Sequence, residues 1–163
     1  MNNKEAEREG EKLNTLKIKW QRLIADGKTC PRCGSTEEEI ERAVSILRQS
    51  LAPLGIDVTL EKGELSVEEF EKNPLESNKI LINDHPLEEW VSGTVGQSPC
   101  CTVCGPSECR TVTVEGQIYE TIPAELIVKA GLIAASELIN TEKSESCCGN
   151  NASKTPKNNC CPK

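Results

Sequence analysis

Ten cysteines in a chain of 163 residues dominate the chemistry open to this sequence. They fall into three groups. Cys30 and Cys33 make a C-x-x-C in "KTCPRCGSTEEEIERAV". Cys100, Cys101, Cys104 and Cys109 crowd the stretch "SPCCTVCGPSEC". Cys147, Cys148, Cys160 and Cys161 form two adjacent pairs near the C-terminus. The thiolate is at once the nucleophile and the metal ligand of cysteine, so each group reads as a redox centre or as a trap for a thiophilic ion.

The compartment decides between disulfides and free thiols. The N-terminal stretch "MNNKEAEREGEKLNTLK" is charged and lacks the apolar segment of a secretory signal, and no apolar run reaches the length of a membrane span. The expectation is a cytoplasmic protein, where a lasting disulfide framework is disfavoured and metal ligation, catalysis or redox sensing remain. The formal net charge of −7 argues against nucleic acid or an anionic membrane surface as a partner.

Spacing gives each group its own chemistry. The C-x-x-C lies just ahead of an amphipathic helix, whose N-terminus stabilises anions through unpaired N–H groups and the macrodipole. Cys30 and Cys33 are therefore a metal-binding pair or a redox dithiol in which Cys30 attacks and Cys33 resolves. In "CCTVC" three thiols precede Gly105 and Pro106, so a turn there can wrap a small ion. If that loop folds over the helix start, Cys30, Cys33, Cys101 and Cys104 would form a tetrahedral set suited to Zn²⁺. The adjacent tail pairs span one tetrahedral divalent ion awkwardly. They suit As(III), Hg(II), Cd(II) or Cu(I). His85, the single histidine, reads as a turn residue, and the sequence has no glycine-rich phosphate loop and no serine-triad pattern.

These thiols need a scaffold. Residues 15–24 alternate apolar and Lys and predict a strand. Ser35 and Glu38 read as a capping box, with Glu37 to Glu39 at the positive end of a helix carrying Ile40, Ala43, Val44, Leu47 and Leu51. "IDVTLEKGEL" predicts a second strand, "SVEEFEKN" a short helix capped by Ser66, and "NKILIND" a buried strand. "HPLEEWV" reads as a short helix and "SGTVGQSPCCTVCGPSEC" as a loop. "CRTVTVEGQIYETI" reads as a hairpin turning near Glu115 and Gly116. Pro123 opens a last helix with Leu126, Ile127, Ala130, Ile133, Ala134 and Leu138 inward. Residues 1–14 read as a flexible N-terminus and 15–140 as one domain. From Thr141 to Lys163 apolar periodicity is lost, and the composition predicts a disordered Cys-rich tail.

A C-x-x-C at the junction of a first strand's loop and a first helix resembles the thioredoxin arrangement. The stretches "GKTCPRCG", "ILINDHPLEE", "CCTVCG" and "ECRTVTVEGQIYETIPAELI" are similar to an uncharacterised family of small prokaryotic proteins with a thioredoxin-like fold. The resemblance implies an α/β protein, a mixed sheet flanked by helices, with a Cys-rich loop insertion. Thioredoxins also carry a cis-proline facing the dithiol, which aligns substrate backbone and discourages metal binding. Ser77 and Asn78 stand in that place here, and the nearest prolines are Pro74 and Pro86. The absence of that proline favours metal binding over disulfide reduction. The paired tail cysteines resemble those of arsenic metallochaperones. The expected function is thiolate binding, sequestration or delivery of soft metal or metalloid ions, with an efflux pump or a thiol reductant system as partner. The alternatives are a thiol–disulfide oxidoreductase using Cys30 and Cys33, and a structural zinc module.

Overall fold

The computed structural model describes the backbone of residues 14–145 and the side chains of residues 14–140. Among the described residues, seven strands and four α-helices follow in the order β1 (Asn14–Leu23), α1 (Pro31–Leu51), β2 (Ile56–Leu65), α2 (Val67–Lys72), β3 (Lys79–Ile82), β4 (His85–Pro86), α3 (Leu87–Trp90), β5 (Thr94–Pro99), β6 (Glu108–Val114), β7 (Gln117–Tyr119) and α4 (Ala124–Glu145). The architecture is mixed α/β, as expected.

The strands form two sheets. The first has the order β2-β1-β3-β4, with β1 and β2 parallel and β3 antiparallel to β1. Parallel neighbours need a crossover, and α1 supplies it. Period-2 patterning fixes which face of this sheet is buried, because a one-residue slip would turn every side chain over. Leu16, Ile18 and Trp20 of β1, Ile56 and Val58 of β2, and Ile80 and Ile82 of β3 are all buried. The buried stripe of α1 (Ile40, Ala43, Val44, Leu47, Leu51) joins Leu126, Ile127, Ala130 and Ala134 of α4 in the same core. A Cβ placed on Gly131 would come within 2.7 Å of Leu47 Cδ1, so any larger residue there would make the Leu47 side chain shift. Ile133, expected inside, is 37 % exposed.

The second sheet has the order β5-β6-β7, all antiparallel. Its outer strand β5 occupies part of the stretch expected to be a loop. Gly, Ser and Pro argue for turns, but ladder pairing with β6 from Thr94↔Thr113 to Pro99↔Glu108 overrides that local preference. Both two-residue hairpin turns use residues with positive φ, Asn83–Asp84 (49° and 66°) and Glu115–Gly116 (52° and 82°), matching the twist of the flanking strands. The Arg110 guanidinium pairs with the Glu88 carboxylate in the interior and also donates to the Leu75 carbonyl at 2.9 Å, tying β6 to α3.

Three helix boundaries refine the sequence reading. Ser66 and Glu69 form the capping box of α2, as its helix required. α1 instead begins four residues before the expected Ser35 box, with Cys30 as its N-cap and Pro31 at its first position. Pro31 has no N–H to leave unpaired there. Glu37 to Glu39 consequently lie beyond the first turn. One of them acts elsewhere: Glu39 Oε2 accepts the Ala124 N–H at 2.7 Å and caps the start of α4. α4 runs to Glu145, past the expected tail start at Thr141.

Candidate metal centre

The C-x-x-C belongs to the first turn of α1 rather than to a loop before it. Cys30 Sγ accepts the Cys33 backbone N–H at 3.4 Å, taking the role a serine or aspartate oxygen usually has at a helix start. Pro31 and the helical Cys30 carbonyl, which accepts Gly34 N–H at 2.9 Å, hold that turn. Both thiols are buried, at 2 % and 1 % exposure.

The Cys-rich loop reaches the same point from the second sheet. β5 ends at Pro99, and a single 3₁₀ turn over Thr102–Cys104 follows, closed by Cys104 N–H to the Cys101 carbonyl at 3.1 Å. Gly105, at φ 63° and ψ −144°, sits where a side chain would be strained and redirects the chain into β6. Arg32 fastens the loop to the helix. Its Nη2 donates to Ser98 Oγ (2.8 Å) and to the Pro99 carbonyl (3.2 Å), and it forms an ion pair with Glu120 at 2.8 Å. Ser98 Oγ in turn donates to Glu120 at 2.7 Å.

The result is a thiol cluster. The Sγ atoms of Cys30, Cys100, Cys101 and Cys104 all lie within 4.8 Å of one another, and Cys30 Sγ is 3.7 Å from Cys100 Sγ. A tetrahedral ion with metal–sulfur bonds of about 2.3 Å has sulfur–sulfur edges of about 3.8 Å, so the set needs only a small contraction to close on one ion. Cys30 and Cys104 are buried, whereas Cys100 and Cys101 are half-buried. The four differ from the expected set in one member: Cys100 takes the place given to Cys33. The helix geometry is the reason. With Cys30 at the cap, Cys33 turns into the core, where its Sγ lies 3.8 Å from Ser77 Oγ. Of the two residues expected opposite the dithiol, Ser77 is the one in contact with it. Ser77 Oγ also accepts Leu23 N–H at 3.1 Å, and Asn78, at φ 59°, bridges Trp20 Nε1 (3.2 Å) and the Glu120 carbonyl (3.2 Å). The adjacent pair Cys100–Cys101 contributes both sulfurs to one cluster.

Protonation departs from a simple helix-terminus argument. The hydrogen bond to Cys33 and burial push the Cys30 thiol up to about 12, against the lowering effect of the Cys33 N–H. The same bond from Cys30 draws Cys33 down. Burial raises Cys104, and burial with a hydrogen bond from Cys100 pushes Cys109 up to about 12. Without a metal, Cys30 and Cys104 are therefore held as neutral thiols, as is Cys109, which hydrogen-bonds with Cys100 and Cys104. A bound cation reverses that balance, because a coordinating thiol is deprotonated outright.

His85, expected in a turn, is instead the first residue of β4, just past the Asn83–Asp84 turn; it stands apart from the cluster, in contact with Glu89 (3.4 Å) and edge-on to Trp90. Cys147, Cys148, Cys160 and Cys161 lie outside the described residues. Among the described residues, no helix is long and apolar enough to cross a membrane. The tether of Arg32, Ser98 and Glu120 escaped sequence reading, since the three are scattered along the chain and only the pairing of β5 with β6 puts them together. Cys100 was a visible candidate, but its membership depends on the same strand.

Comparison with other proteins adds kinship without an activity. An archaeal protein from Archaeoglobus fulgidus, described as "Uncharacterized protein", is 47 % identical over 112 residues, covering 69 % of this chain and 82 % of its own length. No solved structure matches, so the likeness to thioredoxin rests on sequence pattern. Residues 16–131, which hold the C-x-x-C and the whole Cys-rich loop, match the family described as Domain of unknown function (DUF2703), and the chain belongs to that family.

Proposed function

We propose that this protein binds soft metal or metalloid ions, of the As(III), Hg(II) or Cd(II) kind, through thiolates, and sequesters or delivers them in a resistance or homeostasis role. One observation carries the reading: four sulfurs from two separate elements converge within 4.8 Å. Sulfur donors select thiophilic ions over hard ones. The half-buried Cys100 and Cys101 are the point of capture. Cys30 and Cys104 complete coordination from inside, each thiol releasing its proton as its metal–sulfur bond forms. Release runs by stepwise exchange with an incoming thiolate, so a partner is a thiol-bearing acceptor such as an efflux pump or a cytoplasmic thiol reductant. The tail pairs supply further sulfurs for exchange. Zinc fits the same four thiolates, and a structural zinc module is the neighbouring reading.

A redox reading has one observation in its favour, the lowered Cys33 thiol beside Cys30. Both sulfurs are enclosed, which denies a protein disulfide its line of attack. Titration of the reduced protein with arsenite or Hg(II), followed by thiolate–metal absorption, tests the reading. More than one equivalent is expected per chain, falling when Cys147, Cys148, Cys160 and Cys161 become Ser. Zinc binding alone, with unfolding in chelator, would support the structural module, because a structural zinc site contributes about 10 kcal/mol or more to folding. Insulin reduction by wild type that Cys30→Ser abolishes would support the oxidoreductase.

A further inference from the structure

One residue of the cluster borders two environments. Cys104 belongs to the four-thiol set and also lines a cleft of about 360 Å³ between α2 and the Cys-rich loop. Leu23, Val67, Phe70, Val103 and Pro106 supply most of the cleft's other side chains. Glu71 is the one charged residue lining it. The volume falls at the lower end of the range for small-molecule sites, which are apolar with few polar anchors. Thr102 and Ser107 add polar edges to this apolar part, for which a bare ion coordinated by four sulfurs has no use. An ion carrying a hydrocarbon group does.

The geometry points to a monoaryl arsenic(III) species as a ligand of this site, with arsenic held by Cys104 and one neighbouring thiolate and the aryl ring in the cleft. This rests on the soft-ion reading above and narrows it to a substrate class. The step is ligand exchange without redox change. Two As–O bonds of an aryl-As(OH)₂ break and two As–S bonds form. The two thiol protons leave with the hydroxides as two waters, and the As–C bond is untouched. Cys30, Cys100 and Cys101 are each close enough to Cys104 to provide the second sulfur. Glu71 disfavours an anionic substituent in the same place, so a neutral ring is preferred to a carboxylated one.

The test compares phenylarsine oxide with sodium arsenite on the reduced full-length chain in which Cys147, Cys148, Cys160 and Cys161 are Ser, with dithiothreitol as the reference dithiol. The protein should prefer the phenyl compound over arsenite by at least tenfold more than dithiothreitol does. Val67→Asp should remove most of that preference while leaving arsenite affinity within about twofold. Val67 is 44 % exposed at the first position of α2, where a carboxylate is favourable, so the fold should tolerate the change. A preference equal to that of dithiothreitol overturns the inference and leaves soft-ion binding standing, even if Val67→Asp fails to fold. Retention of the preference in folded Val67→Asp also overturns it. Failure of both compounds to bind removes the soft-ion reading together with the inference.

Discussion

The two sheets are built on different principles. The interior of the four-stranded sheet is apolar, with Leu16, Ile18, Trp20, Ile56, Val58, Ile80 and Ile82 packed on the stripes of α1 and α4. The spine of the three-stranded sheet is β6, whose consecutive buried residues are Cys109, Arg110, Thr111 and Val112. The first sheet is held by hydrophobic burial, which is non-directional and tolerant of detail. The second depends on an interior ion pair and on thiols that must each find a partner, which leaves little tolerance for loss of one member. Folding capacity thus resides in the first sheet, and chemistry sits where the second one meets it.

Breaking each sheet in its own currency tests this contrast. Arg110→Ala would strand the Glu88 carboxylate in the interior, at a cost of about 3–5 kcal/mol. The urea midpoint should fall accordingly, and the double change Glu88→Leu with Arg110→Met should recover much of the loss. An Arg110→Ala protein as stable as wild type would mean that the second sheet is held by something else. Leu47→Ala, in the α1 stripe that shares the core of the first sheet, should cost about 2–5 kcal/mol, with the higher end if the space beside Gly131 stays empty. Its arsenite affinity should stay near that of wild type wherever the chain remains folded. A large affinity loss would show that the two regions are not separable.

Cys104→Ser should sharpen the comparison from the other side. It removes a sulfur without emptying the core, so we expect at least a tenfold loss in soft-ion affinity, about 1.4 kcal/mol, with far-UV circular dichroism unchanged. Cys33→Ser, which spares the four clustered sulfurs, should weaken binding far less. Equal losses from the two changes would mean that the ion takes the originally expected set. The smallest effect is on pH. Cys109 rises from 9.0 to about 12 in the folded protein, and burial raises Cys104 too. A raised thiol stabilises the fold fully below the unfolded value near 9 and loses that contribution as pH climbs towards the folded value. The lowered Cys33 acts in the opposite sense, one group against the three raised ones, Cys30, Cys104 and Cys109. Thermal midpoints of the metal-free protein should hold steady to about pH 9 and then decline. A rising midpoint across pH 9–11 would reverse the assignment.

Legibility followed the same divide. β1, α1, β2, α2, β3, the Glu115–Gly116 turn and α4 were readable because their apolar positions recur with a fixed period or their caps are local in sequence. β5 was not, because "TVGQSP" is exposed or half-exposed along its length and looks like turn chemistry. What makes it a strand is β6, nineteen residues away where Thr94 meets Thr113 and nine where Pro99 meets Glu108. The start of α1 was misplaced for a related reason. Ser35 and Glu38 offered a familiar capping pattern, but a sulfur at Cys30 took the cap. That one shift of register exchanged Cys33 for Cys100 in the cluster. The convergence of two cysteine groups could be anticipated from chemistry, whereas membership required the fold.

Cys30 and Cys100 are far apart in sequence, yet their sulfurs are 3.7 Å apart. An ion shared between them closes most of the domain into a covalent-like ring. Ring closure of this length removes conformational freedom from the opened chain, an effect that grows only slowly with loop size but is already substantial at tens of residues. Loaded protein should therefore open less often than empty protein and survive longer under a broad-specificity protease. Cargo would set the lifetime of its carrier, and the amount of protein that persists would itself report how much ion the cell has met.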